Sequence, residues 1–138
     1  MKKSLSPNKI DCSGFETLID ALLRYDTEQT GLFFGYIIDD VALCRAFFPA
    51  KNIEGSSVRF EMDPWDIVVG HLVAEKYGLD LVAVFHTHPC GVSRPSGLDL
   101  KGMKFWRVPW IIASRQETRA FILVNDDVRE LSIKFLYG

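Results

Sequence analysis

The aliphatic run from Leu79 to Phe85 reads as a buried strand, and it leads directly into His86-Thr87-His88. A fold built on this chain must therefore deliver two imidazoles at the carboxyl end of an interior strand. Side chains two apart on an extended segment point the same way, so His86 and His88 can grip one ion. The loop of about ten residues that follows is long enough to fold Asp99 back as a third ligand, with Ser96 beside it. Three protein ligands with a fourth position open to water is the catalytic arrangement of zinc, not the structural one. With 3 His, 9 Ser and 11 Asp in 138 residues, random placement of this spacing yields roughly 0.0003 matches. Two plainer readings stand beside it. Ser96-Gly97-Leu98-Asp99 also fits a helix N-cap with an acidic residue at the third helical position, which needs no metal, and both can hold together. The histidines could also simply face solvent at a strand end.

The rest of the chain alternates strands and helices. Ser13 with Glu16 makes a capping-box pattern, and Phe15, Leu18, Ile19 and Leu22 recur at helical spacing, predicting a first helix to about Tyr25. The apolar runs Leu32 to Ile38 and Val41 to Phe48, joined through Asp39-Asp40, predict a hairpin, with Gly35 marking a bulge or close approach. A polar loop from Lys51 to Ser57 precedes a short strand, Val58 to Glu61. Asp63 and Pro64 then open a second helix that ends at Gly78 and turns Trp65, Val68, Val69 and Leu72 inward, with His71 on its flank. Ser96 caps a short helix to about Trp106. Strands follow near Trp110 to Ser114, Thr118 to Val124 and Val128 to Phe135, the last two split by Asn125-Asp126-Asp127. Phe33, Phe34, Phe47 and Phe48 read as alternating core and surface positions, one of each pair free to line a groove.

Composition narrows the class. An apolar content of 48% over 138 residues fills one core. The net charge of −2, without a basic run, advertises no nucleic-acid surface. Ser4, Pro7 and Asn8 after Met-Lys-Lys argue against a signal peptide, and no segment approaches ~20 apolar residues, so a cytoplasmic protein without membrane contact is expected. Exposed aromatics leave room for a homodimer. Three widely spaced cysteines form neither a disulfide framework nor a CxxC zinc site. Cys44 reads as core. Cys90, two residues past His88, could stand near a metal, and Cys12 could bridge to another chain. Ser93 has the wrong spacing for the motif, and Arg94 is a loop arginine that could meet a substrate carbonyl or carboxylate.

His86, His88, Ser96 and Asp99 together resemble the signature of the JAMM (MPN+) metalloproteases. The family's other element, a glutamate three residues before a Gly-Leu-aliphatic pattern, is matched by Glu28 in Glu28-Gln29-Thr30-Gly31-Leu32-Phe33-Phe34-Gly35. Met62-Asp63-Pro64, Pro89, Pro95 and Pro109-Trp110-Ile111-Ile112 extend the likeness over most of the chain. The resemblance implies an α/β fold of cytidine-deaminase-like type, with a mixed, curved β-sheet flanked by helices. Length and composition predict one domain over 1–138, of the same JAMM/MPN+ type, with 1–10 a flexible N-terminal extension. The resemblance further implies one zinc ion and a catalytic water on His86, His88 and Asp99, Glu28 as general base and acid, and Ser96 donating to the developing oxyanion. Amide hydrolysis independently needs a carboxylate that is not a ligand to move the proton, a task Asp99 cannot share.

Family substrates are amide or isopeptide bonds at the C-terminal Gly-Gly of ubiquitin or ubiquitin-like modifiers, small archaeal modifiers included. A strand edge beside the site would receive such a tail by β-augmentation. A processing peptidase for a sulfur-carrier precursor, or for a small peptide, would keep the same residues with a different groove. A noncatalytic MPN interaction module is disfavoured by the intact constellation.

Overall fold

The computed structural model describes residues 6–55 and 60–136. Along them run β1 (Lys9–Asp11), α1 (Glu16–Leu22), β2 (Thr30–Ile38), β3 (Val41–Ala50), α2 (Pro64–Lys76), β4 (Asp80–His88), α3 (Gly97–Phe105), β5 (Trp110–Ser114), β6 (Thr118–Val124) and β7 (Asp127–Lys134). The strands form one mixed sheet in the order β1-β3-β2-β4-β5-β6-β7, closed into a barrel because β1 pairs in parallel with both β3 and β7. Two hairpins use the same device. Asp39 and Asp40 stand at φ 50° and 63°, Asn125 and Asp126 at 53° and 73°, the left-handed pair a two-residue type I′ turn requires. At Gly35 the β2–β3 register shifts, and a Cβ there would lie 1.8 Å from the Leu43 carbonyl oxygen, so only glycine fits the bulge. Among the described residues no helix is long and apolar enough to cross a membrane.

The sheet is mixed and flanked by helices as expected, but it closes into a barrel where a curved sheet was expected. The cause of closure is β1, which begins within residues 1–10, expected to be a flexible extension, and runs past them: Pro7 and Ile10 are buried, and Cys12 donates its N–H to the Lys134 carbonyl at 2.8 Å. Residues 1–5 fall outside the described residues. Among the described residues every strand of the ring has a partner on each side, which leaves no edge strand there for the β-augmentation expected beside the site. The Ser13–Glu16 capping box does not form either. Gly14 turns at φ 95°, the helix starts at Glu16 and ends at Leu22, and the Glu16 carboxylate instead accepts from the Gly14 and Leu136 amides. The short strand expected at Val58 to Glu61 lies partly outside the described residues. Its described end, Phe60 and Glu61, is not strand, although Met62 bridges to Asn52.

Two cores flank the sheet. One gathers Ile10, Phe33, Phe85, Ile111 and Ile122 with α1 packed on it, and the other lies beneath α2 and α3, around Leu32, Phe34, Val84, Met103, Trp110 and Ile112. Because successive strand residues face opposite sides, Phe33 serves the first core and Phe34 the second. Both are buried, where alternation of core and surface was expected. The largest departure is α2. Trp65 is 75% exposed and Leu72 62%, and Val68 and Val69 also face out, while Ile67, Gly70 and Ala74 face the sheet. The helix is apolar nearly all round, so pattern alone gives it no direction. Its smallest face lets it sit closest, and a Cβ on Gly70 would already be 2.9 Å from the Phe48 ring.

Candidate metal centre

Strand β4 carries His86 and His88 on the side of α2 and α3, and the turn of loop after it returns the first turn of α3 to meet them. The two Nε2 atoms stand 3.0 Å apart. One carboxylate oxygen of Asp99 lies 3.1 Å from His86 Nε2, and the other 3.1 Å from His88 Nε2. The Glu28 carboxylate, arriving from the segment between α1 and β2, comes within 4.8 Å of both imidazoles. All four residues are buried or nearly so. Ser96 caps α3: its hydroxyl accepts from the Asp99 amide at 3.1 Å, and the Asp99 carboxylate accepts from the Ser96 amide at 2.9 Å. The capping box and the convergence on His86 and His88 therefore use one and the same carboxylate.

The two carboxylates are not equivalent. Burial pulls the Asp99 pKa upward, but the two imidazoles and the Ser96 amide outweigh it and hold it well below the ordinary carboxylate range. For Glu28 burial dominates and, against the attraction of His88, pushes the pKa up to about 7. Its Oε1 is buried with no hydrogen-bond partner among the described residues. Burial likewise lowers His86 below its usual value. On His88 burial is outweighed by Asp99 and by the Val92 carbonyl, and its pKa is raised. Two imidazole nitrogens and an ionised carboxylate crowded within about 3 Å of one another, beside a second buried carboxylate with one oxygen unpartnered among the described residues, are a donor set that fits a divalent cation of the zinc type.

Several groups that hold this arrangement escape motif reading. His88 Nδ1 donates to the Val92 carbonyl at 2.7 Å, which turns Nε2 toward Asp99. Val92 is fixed by its neighbour: Ser93, 1% exposed, donates to the Glu117 carbonyl at 2.6 Å and shares a hydroxyl–hydroxyl hydrogen bond of 2.9 Å with Ser114. Ser114 is the residue opposite His88 on β5. Thr87 points away from the imidazoles and accepts from the Gln29 amide at 2.8 Å, while Asn52 donates to the Glu28 carbonyl at 2.9 Å, so the Glu28 segment is tied to β4 and to the loop after β3. The His86 ring lies against Phe60, centroids 4.4 Å apart, with Trp110 at its edge. Its buried Nδ1 has no hydrogen-bond partner among the described residues, where the Phe60 and Trp110 rings orient it by packing. Strand alternation could have marked Thr87, whereas nothing in the spacing marks Ser93. Cys90 is exposed and stands outside the candidate ligand group among the described residues. Arg94 is also exposed, and its charge acts on Glu130 of β7. His71 lies apart from the centre, on α2, its ring edge to face with Phe34.

Beside Ser96 and Asp99 opens a cleft of about 430 Å³ between α2 and α3, walled by Phe60, Met62, Ile67, Leu98, Phe105 and Trp106.

Residues 16–125 match the family described as prokaryotic homologs of the JAB domain. The chain belongs to that family. Within the JAB family, 74 of its residues are 42% identical to a desampylase of Pyrococcus furiosus, and 76 are 36% identical to a probable TtuB-protein conjugate cleaving protease of Thermus thermophilus. These matches take in 53% and 54% of this chain and 53% and 51% of the relatives, so the chain spans about half the length of the curated relatives it matches. The fold recurs in the solution structure of a Desulfitobacterium hafniense protein, at TM-score 0.78 and 23% identity over 94% of this chain and 93% of that one. A Salinibacter ruber protein follows it at TM-score 0.65 and 25% identity, over 89% of this chain and 90% of the other.

Proposed function

We propose that this JAB-family chain is a zinc-dependent metalloprotease that hydrolyses the (iso)peptide bond after the C-terminal Gly-Gly of ubiquitin-like modifiers, small archaeal modifiers among them. The observation that carries the reading is the convergence of His86, His88 and Asp99 with the buried carboxylate of Glu28 beside them, whose Oε1 has no hydrogen-bond partner among the described residues. The names of two relatives, a desampylase and a conjugate cleaving protease, support the substrate class. The same reading sets the enzyme in the cytoplasm.

His86, His88 and Asp99 would hold the zinc. Bound there, it supplies Lewis acidity, polarising a carbonyl and bringing water to a pKa of about 7. Glu28 takes the proton of the attacking water and returns it to the leaving amine, and a pKa near 7 suits a group that must do both. Ser96 accepts from the Asp99 amide, which leaves its own hydroxyl proton to be donated to the oxyanion. The apolar cleft alongside gives the substrate chain a seat and keeps water from one side of the reacting bond.

The test is cleavage of a ubiquitin-like protein joined through its C-terminal Gly-Gly, using zinc-loaded wild type and Glu28→Ala in parallel. Wild type is expected to cleave, and the variant to bind zinc but turn over about 10²–10⁴-fold more slowly. Equal activity in both would mean a contaminant or a base elsewhere. Zinc binding with no cleavage by either would sink the ubiquitin-like substrate and favour a small peptide or a scaffold.

A further inference from the structure

Cys12 and Cys44 form a buried pair of thiols that the metal centre does not use. In the parallel β1–β3 ladder Ile10 stands opposite Ala42 and Asp11 opposite Leu43, so Cys12 and Cys44 are the next pair along. Their sulfurs lie 3.6 Å apart. Paired strands run about 4.8 Å apart, which falls within the roughly 4.4–6.8 Å between Cα atoms that a disulfide spans. Side-chain rotation therefore covers most of the remaining gap between the sulfurs. The position matters because β1 is three residues long and is the strand that closes the barrel, gripping β3 on one side and β7 on the other. Cys12 is itself part of that seam through its amide bond to Lys134.

We propose that Cys12 and Cys44 are a latent disulfide, formed when the chain meets a small-molecule disulfide, and that the bond latches β1 into the barrel. One cysteine thiolate attacks the oxidant's S–S bond, giving a mixed disulfide and releasing one small thiol. The second cysteine thiolate then attacks the chain sulfur of that mixed disulfide and releases the other. The two cysteine sulfurs are oxidised, the two oxidant sulfurs are reduced, and the two cysteine protons leave on the small thiols. Contact with Cys44 and then burial push the Cys12 thiol well above its ordinary range, so exchange waits on transient release of β1, the shortest strand. The resulting ring, joining residues 32 apart in sequence, encloses α1, Glu28 and β2. A cross-link over that span restricts the unfolded chain strongly.

The experiment incubates the native, full chain with oxidised glutathione, digests it without reduction, and reads the peptides by mass spectrometry. Exposed Cys90 is the internal control for an active oxidant. In a Cys90→Ser chain, the expected result is a mass loss of about 2 Da and a single linked peptide pair containing Cys12 and Cys44. The melting temperature should rise by several degrees, up to about 10 °C, and fall back on addition of dithiothreitol. The proposal is overturned if Cys90 of the unaltered chain is fully modified while Cys12 and Cys44 remain free thiols on later denaturation. It is equally overturned if the oxidised chain melts no higher than the reduced one. Neither reading depends on zinc or on cleavage.

Discussion

Helices α2 and α3 cover the same core of this barrel, yet only one of them faces the way its sequence suggests. Both start on local signals. Asp63 accepts from the Trp65 amide with Pro64 in the first turn of α2, and Ser96 and Asp99 exchange caps at the start of α3. On α3 the cap also sets the rotation, because Asp99 must reach His86 and His88, and that turns Met103, one turn on, into the core. Nothing of the kind binds α2. Apolar on most sides, it settles on the face that lets it approach the sheet most closely, leaving its bulkiest residues outside. Caps fix where a helix begins, while its facing is set by a long-range contact or by steric fit.

Asp99 does two jobs, capping α3 and facing both imidazoles, and one substitution separates them. Asp99→Asn keeps an oxygen for the Ser96 amide but discards the charge that faces both imidazoles. Zinc affinity, measured by competition with a chromophoric chelator, should fall by more than the roughly 10–100-fold typical of losing an outer contact. The metal-free variant should melt close to the wild type. If α3 unravels as well, the cap and the facing of the helix are one interaction, and the contrast with α2 loses its basis. Ser96→Gly sharpens the same point at the neighbouring residue. Glycine at an N-cap costs only about a few tenths of a kcal/mol, so stability should barely move. Loss of the hydroxyl donor should cut turnover about 10²–10³-fold with zinc still bound. A large loss of stability would mean that the hydroxyl serves the helix rather than the reaction.

The site was legible because its pieces are local in sequence. His86 and His88 share a strand face by alternation, Ser96 and Asp99 share a helix turn, and the prolines that bracket the loop mark it as a fixed connection. Glu28 was legible only through family resemblance, since the sequence does not show that β2 runs beside β4 and brings it there. The turns at Asp39-Asp40 and Asn125-Asp126 were readable for the same local reason as the caps. What could not be read depends on contacts between distant segments. Closure of the barrel rests on three residues of β1 finding two partners, and Cys12, expected to be free to bridge to another chain, is buried against Cys44 as a result. Ser93 carries no recognisable pattern, and its importance comes from the β5–β6 turn that happens to lie opposite.

The smallest expected effect tests the facing of α2 directly. Trp65→Ser and Leu72→Ser remove large apolar groups from positions that the sequence assigns to the core and the structure assigns to the surface. If they face outward, each should change the unfolding free energy of the metal-free chain by no more than about 0.5 kcal/mol in urea denaturation. Gly70→Val makes the opposite change, adding bulk where a Cβ alone already meets the Phe48 ring at 2.9 Å. Overpacking of that kind costs about 1–3 kcal/mol. A conventional amphipathic reading reverses the ranking, because it puts Trp65 and Leu72 against the sheet, where their loss would leave cavities worth several times as much. The order of the three variants therefore decides the rotation of the helix, and with it whether small residues or large ones seat α2 on the barrel.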